Sequence, residues 1–261
     1  MKIAVCIKQV PDTTSVRIDP VTNTLIREGV ESVVNPFDSY AIEEAVRLKE
    51  QHNAETCAIT MGPPQAVNIL KDAIALGIDS VIHLTDRAFA GSDTLATSRV
   101  LAGAIRKMDD VDLIICGKQA SDGDTAQVGP GIAVVLGIPE ITYVKKVVRI
   151  DVETKTIEVE RLTEEGTEVI KSTLPCSITV VKEINTPRLP SFKGLMKAKK
   201  AEITVWNCKD LGLEDFEVGL KGSPTQVVKI FSPPSRKGGE VLSEDSDENL
   251  DKLFASLEKL L

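Results

Sequence analysis

Short apolar runs alternate with amphipathic helical segments from the N-terminus to about residue 137, and this alternation constrains the fold more than any other feature. Ile3 to Ile7, Thr56 to Thr60, Ser80 to Leu84 and Asp112 to Cys116 are runs of the length and character of strands buried on both faces. Helical periodicity lies between them. Ser39 to Gln51 carries Ala41, Ile42, Ala45, Val46 and Leu48 on one face, with Glu43 and Glu44 expected in the first turn, where carboxylates suit the helix dipole. Gln65 to Leu76 is closed by Gly77, and Thr94 to Met108 begins after Asp93, a natural N-cap. A fourth helix is expected from about Thr125 to near Gly137. Strand and helix in strict turn imply a parallel sheet covered by helices, an α/β fold.

Beyond Pro139 the pattern becomes one of short strands: Val144 to Asp151, Thr156 to Leu162, Glu168 to Thr173 and Ser177 to Lys182, expected to extend the sheet in antiparallel fashion. From Asn185 to about residue 240 prolines interrupt any long periodicity, so the segment reads as an irregular arm packed on something else, such as another subunit. The tail places Leu250, Leu253, Phe254, Leu257 and Leu260 on one face of a short amphipathic helix after an acidic cluster. Two parts follow, an α/β domain over 1–186 and a loop with C-terminal arm over 187–261.

Several function classes are poor fits. Lys plus Arg number 31 against 39 Asp plus Glu, a net charge of −8, which disfavours a nucleic-acid or anionic-membrane surface. No apolar run approaches the ~20 residues needed to span a bilayer, and the first residues lack a secretory cleavage pattern. Cys6, Cys57, Cys116, Cys176 and Cys208 are scattered without a CxxC pair, as in reduced cytoplasmic proteins. His52 and His83 lack ligand spacing, so no metal site is expected. No pair of residues suggests a catalytic dyad.

The informative segment runs from Cys116 to Gly131, CGKQASDGDTAQVGPG, a strand leading through Gly117, Gly123, Gly129 and Gly131 into a helix. Ligands of parallel sheets sit beyond the carboxyl ends of strands, and a helix start offers free N–H groups to phosphate. Gly123 and Ala126 permit close backbone approach, while Thr125 and Gln127 add donors. Asp122 and Asp124 would repel a phosphate that they faced, so Asp124 is expected to cap the helix and Asp122 to face sugar or base. The segment fits neither a Walker loop nor GxGxxG, and a merely capped helix after a Gly-rich turn explains it equally well. Cys6 to Gln9, Asn35 to Asp38 and Thr60 to Gly62 should converge on the same edge; there Asp38 or Ser39 suits the first helix as a cap, and Asn35 and Asp38 also suit hydrogen bonds to a base or ribose. The loop Asp86 to Thr94 reads first as a surface turn with one buried aromatic, Phe89. Arg188 to Ile203 sets Leu189, Phe192, Leu195 and Met196 beside Lys193, Lys197, Lys199 and Lys200, a composition suited to protein docking or to a solvated loop.

Taken together, IAVCIKQVPD, NPFDSYAIEEAVRLKE, GKQASDGDTAQVGP, VERLTEEGTEVI and MKAKKAEI resemble the beta subunit of an electron-transfer flavoprotein over nearly the whole chain. The resemblance implies an adenine-nucleotide-hydrolase-like α/β fold and pairing with an alpha subunit. Ordinary members carry a structural AMP in this subunit, whereas bifurcating members hold a second FAD that takes hydride from NADH. DRAFAGSDTLATSRVLA (86–102) and DGDTAQVGP (122–130) resemble the bifurcating kind. By that resemblance, Gly117, Asp122, Gly123, Asp124, Thr125, Gln127 and Val128 would surround the FAD diphosphate and ribityl chain, with Thr94 and Thr97 along the flavin. Cys6, Asn35, Asp38 and Met61 would hold the adenosine half, and Phe89, Ala90 and Gly91 would border the ring where nicotinamide approaches. Phe192, with Leu195 and Met196, would dock on a partner dehydrogenase of acyl-CoA or lactate type, and ferredoxin or flavodoxin would accept the other electron. The same residues also allow an AMP-carrying member or, from another class, a nucleotide-binding regulatory module.

Overall fold

The computed structural model describes residues 1–12, 17–18, 25–26, 32–226, 228, 241–243 and 246–258. In chain order the described strands are β1 (Lys2–Cys6), β2 (Gln9–Pro11), β3 (Arg17–Ile18), β4 (Leu25–Ile26), β5 (Ser32–Val34), β6 (Glu55–Met61), β7 (Ser80–Leu84), β8 (Leu113–Gly117), β9 (Glu140–Asp151), β10 (Thr156–Thr163), β11 (Gly166–Thr173), β12 (Cys176–Val180) and β13 (Thr204–Trp206). The α-helices are α1 (Pro36–His52), α2 (Val67–Leu76), α3 (Thr94–Met108), α4 (Val128–Leu136), α5 (Phe192–Lys200), α6 (Gly219–Gly222) and α7 (Asp247–Glu258).

Nine strands form one sheet in the order β11-β10-β9-β12-β8-β1-β6-β7-β13. The seven from β9 to β13 in that order run parallel, and only β10 and β11 add antiparallel pairing at the edge. The apolar runs have no polar alternation because both faces are covered. Ile3, Val5 and Ile7 join residues of α1, α2 and α5 in one core, whereas Ala4 and Cys6 join α3 and Ile132 of α4 in the other.

Three sequence expectations are corrected. The last short strand does not lie at an antiparallel edge: β12 pairs in parallel with β8 and β9, because its CSITV run is buried at every position. Helix α1 starts at Pro36, whose fixed φ suits a first turn, so Glu43 and Glu44 lie two turns in and not at the dipole end. They are buried and held from outside the helix: Arg188 donates to Glu43 through its Nε (2.8 Å), and Asn185 Nδ2 donates to Glu44 (3.0 Å). The segment after Asn185 is not irregular throughout either. Ser191 caps α5, which packs on α2, and β13 extends the sheet beside β7. Contacts divide the chain into units at 1–226 and 227–261, so the stretch 187–226 belongs with the α/β unit. In the second unit, α7 carries Leu250, Leu253, Phe254 and Leu257 exposed, while Leu260 lies outside the described residues.

Candidate functional site

The carboxyl ends of β1, β6 and β8 adjoin one another in the sheet, and the chain leaving β8 forms a loop from Lys118 to Gln127 before α4 begins at Val128. Lys118 N–H donates to Val180 O (2.9 Å), which seats the start of the loop on β12. Asn35, 1% exposed, then clamps it with both ends of its amide: Nδ2 donates to Gln119 O (2.8 Å), and Oδ1 accepts from Ser121 N–H (3.1 Å). Asp38, 5% exposed, accepts from Lys8 N–H (2.7 Å). Burial pushes the Asp38 carboxyl up to about 7, against the opposing hydrogen bonds from Asn35, Lys8 and Gly117. Asn35 and Asp38 therefore position the loop, and their polar atoms are already engaged.

The glycines divide by function. A Cβ on Gly117 would strike Asp38 and the backbone of Phe37, and one on Gly131 would strike Ser98. One on Gly129 would lie 2.6 Å from Thr179 Cγ2. These three let α1, α3 and β12 approach closely. Of the four glycines from Gly117 to Gly131, Gly123 alone has no atom within 4 Å of an added Cβ, so it faces open space, as a ligand-facing residue would.

Asp124 does not cap α4. The N-cap is Gln127, without a side-chain cap bond, and Asp124 accepts instead from Gln119 Nε2. Helix α4 could not start at Thr125 because Asp124 and Ala126 are left-handed, with φ of 52° and 53°. Ala126 is followed by right-handed Gln127 (φ −102°, ψ −21°), a sequence of conformations that turns successive N–H groups toward one point and makes an anion-binding nest. Among the described residues, the N–H groups of Gly123, Thr125, Ala126 and Gln127 donate to no protein acceptor, and those of Val128 and Gly129 are free as first-turn groups. Asp122 forms an ion pair with Lys8 Nζ (2.7 Å), a partner the sequence reading missed because nothing local links residue 8 to residue 122.

Helix α3 begins beside this loop. Ser98 Oγ donates to Thr94 O (2.7 Å) and lies 3.3 Å from Val128 O, joining the first turns of α3 and α4; Thr94 and Thr97 lie half-buried on that end. Asp93 caps α3 as expected, accepting from Leu95 and Ala96 N–H (both 3.0 Å). Cys6 and Cys116 are paired across β1 and β8 beneath the loop, and the hydrogen bond with Cys6, together with burial, drives the Cys116 thiol upward, away from thiolate chemistry. Met61 ends β6 half-buried at the same edge.

A model of the "Electron transfer flavoprotein domain" matches residues 22–211. The chain belongs to the electron transfer flavoprotein family. It is 48% identical over 258 residues to the electron transfer flavoprotein subunit beta of Thermoanaerobacterium thermosaccharolyticum, covering 98% of each chain. It is 50% identical over 244 residues to the caffeyl-CoA reductase-Etf complex subunit CarD of Acetobacterium woodii, covering 93% of this chain and 92% of CarD. It is 47% identical over 241 residues to the protein FixA of Azorhizobium caulinodans, covering 90% of this chain and 86% of FixA. The first of these is a subunit beta, and beta subunits of the family pair with alpha subunits.

In this electron transfer flavoprotein subunit the loop after β7 buries Phe89, as the reading of a surface turn with one buried aromatic has it. The residue is 5% exposed and belongs to the α3/α4 core with Leu84, Val100 and Val218. Ala90 and Gly91 are exposed. Gly91 has a φ of 75°, and Leu220 of α6 lies 2.6 Å from where its Cβ would stand. A polar clasp binds this loop to the segment after α6: Thr225 donates to Asp93 Oδ2 through N–H and hydroxyl (3.0 and 2.8 Å), and Asp93 N–H donates to Ser223 Oγ (2.8 Å). On the opposite face Phe192 is 81% exposed, with Leu189, Leu195 and Met196 also exposed around it. Gly194 lets α5 cross over the Ala75 carbonyl, so α5 is anchored on α2 while its apolar face points outward. A cavity of about 200 Å³ lined by Lys2, Glu55, Met108 and Trp206 lies on the strands' amino-terminal side and is too small for a dinucleotide.

Proposed function

We propose that this chain is the beta subunit of an electron-bifurcating electron transfer flavoprotein, and that the loop from Gly117 to Val128 holds the diphosphate of an FAD. The observation that carries the reading is the row of unpaired N–H groups at Gly123, Thr125, Ala126 and Gln127, bent into a nest and facing open space at Gly123. Groups left unpaired at a strand's carboxyl end are costly unless water or a ligand meets them, so the loop fits an anion. Asn35, Asp38 and Gly117 hold that loop in shape; Thr94 and Thr97 border it; Cys6 and Met61 form the floor for an adenosine. Ala90 and Gly91 take the part assigned to the nicotinamide side, since Phe89 is committed to the core.

A bound FAD would supply the hydride acceptance from NADH and the release of electrons, one toward ferredoxin or flavodoxin and one toward the alpha-subunit FAD. The chain contributes position and electrostatics. Its exposed Phe192, Leu195 and Met196 then dock a dehydrogenase of acyl-CoA or lactate type. Among the described residues no helix is long and apolar enough to cross a membrane, and we place the complex in the cytoplasm.

The burial of Phe89 favours the alternative of a structural AMP, because it removes one wall expected beside a flavin ring. Counting cofactors released from the purified heterodimer decides between them. Two FAD and no AMP, with bleaching by NADH, is the expected result; one FAD with one AMP would establish the non-bifurcating carrier. No flavin absorbance with the alpha subunit present would leave only the regulatory module.

A further inference from the structure

Two carboxylates flank the unpaired N–H groups, and an acidic loop is a poor host for an anion unless its charge is answered. Asp124 is turned onto Gln119 Nε2. Asp122, immediately before Gly123, has both carboxylate oxygens on Lys8 Nζ, at 2.7 and 2.8 Å. Lys8 is fixed at its backbone as well. Its N–H donates to Asp38 Oδ2 (2.7 Å), and its carbonyl accepts from Asn35 N–H (2.9 Å), so the residue between β1 and β2 is held by both residues that shape the loop. The ammonium itself is half-exposed, at the mouth and not in the core. An ion pair so exposed adds little to folding stability. Its consequence is local: it draws Asp122 away from the N–H row and cancels its charge where a diphosphate would sit.

We propose that Lys8 is a positioning residue that makes this loop selective for phosphate-bearing adenine ligands over uncharged ones, acting through Asp122. This rests on the reading of the loop as a diphosphate site, and the experiment separates the two. ADP and adenosine are titrated calorimetrically into the full chain as wild type, Lys8→Met, Lys8→Arg, Asp122→Asn and the Lys8→Met/Asp122→Asn double variant. Unanswered like charge at this range should weaken ADP binding by about ten-fold or more in Lys8→Met and change adenosine by less than about two-fold. Lys8→Arg should bind ADP as wild type does, and the double variant should recover most of the loss. Asp122→Asn, which removes the charge while keeping Lys8, should bind ADP at least as well as wild type. Unchanged ADP affinity in Lys8→Met overturns the proposal, as does weakened ADP binding in Asp122→Asn. A double variant as weak as Lys8→Met overturns it too, because Lys8 would then be a direct phosphate ligand. A wild-type chain that binds ADP no better than adenosine would instead count against the diphosphate site itself.

Discussion

Glu140 illustrates how one side chain sets a property of the whole chain. It stands at the start of β9 opposite Ser177, and neither of its buried carboxyl oxygens has a hydrogen-bond partner among the described residues. Burial pushes its carboxyl from 4.5 up to about 7. The folded chain thus holds this proton more tightly than the unfolded one, and stability falls as pH rises from about 4.5 to about 7, opposite to an ion-paired carboxylate. Asp38 has the same sign. Glu140→Gln removes this contribution, so denaturant titrations should show the variant gaining on wild type between pH 5 and pH 8, by up to about 3 kcal/mol. Parallel curves for both proteins across that range would refute the burial argument. Asn35 makes a different case. Its alanine variant leaves Gln119 O and Ser121 N–H unanswered, at a cost of about 1–3 kcal/mol, and frees the loop. Loss of cofactor from Asn35→Ala at a temperature where the fold persists is the expected outcome, measured by flavin and AMP content against circular dichroism.

The helices owe their positions to glycines whose roles differ although the residues are the same. Gly129→Ala places a Cβ 2.6 Å from Thr179 Cγ2, which forces α4 off β12 and should cost about 1–3 kcal/mol through overpacking. A Cβ at Gly123 has no protein atom within 4 Å, so Gly123→Val should leave the melting temperature of the ligand-free chain unchanged while filling the space the proposed diphosphate needs. A thermal melt paired with a cofactor assay distinguishes the two classes: a fall in melting temperature for Gly123→Val, or full occupancy of the loop in that variant, would contradict the assignment. Sequence alone could not separate these glycines, since each follows or precedes the same kind of polar turn. It also set α4 three residues early, because Thr125 to Gln127 are acceptable helix formers and only the left-handed backbone at Asp124 and Ala126 excludes them.

Across the whole molecule the proposed docking face and the proposed nucleotide loop are separate pieces of architecture. Helix α5 sits on α2, on the sheet face opposite α3 and α4. Phe192→Ala should therefore leave stability and nucleotide content unaltered while lowering the rate at which a partner dehydrogenase exchanges electrons with the complex; reduced flavin content in that variant would show that the faces are coupled. The alternation of apolar runs and amphipathic helices was enough to read four parallel strands and their helices, since burial on both faces leaves no polar alternation to confuse them. The motifs also carried the family. What escaped reading was set by neighbours distant in sequence. Glu43 and Glu44 looked like dipole partners until Arg188 and Asn185, some 140 residues on, were seen to hold them. β12 looked like one more hairpin strand until β8 and β9 took it between them. Phe89 was legible only as the one aromatic of its loop, and its burial in a core cluster with Val100 and Val218 depends on α3 and the segment before α6. Hydrophobic period is a property of contiguous residues, so the order and kind of elements follow from the chain alone. Which donor meets Asp122, which glycine faces space and which N–H groups stay free depend on chain segments brought together only after the sheet closes, and tertiary structure decided them.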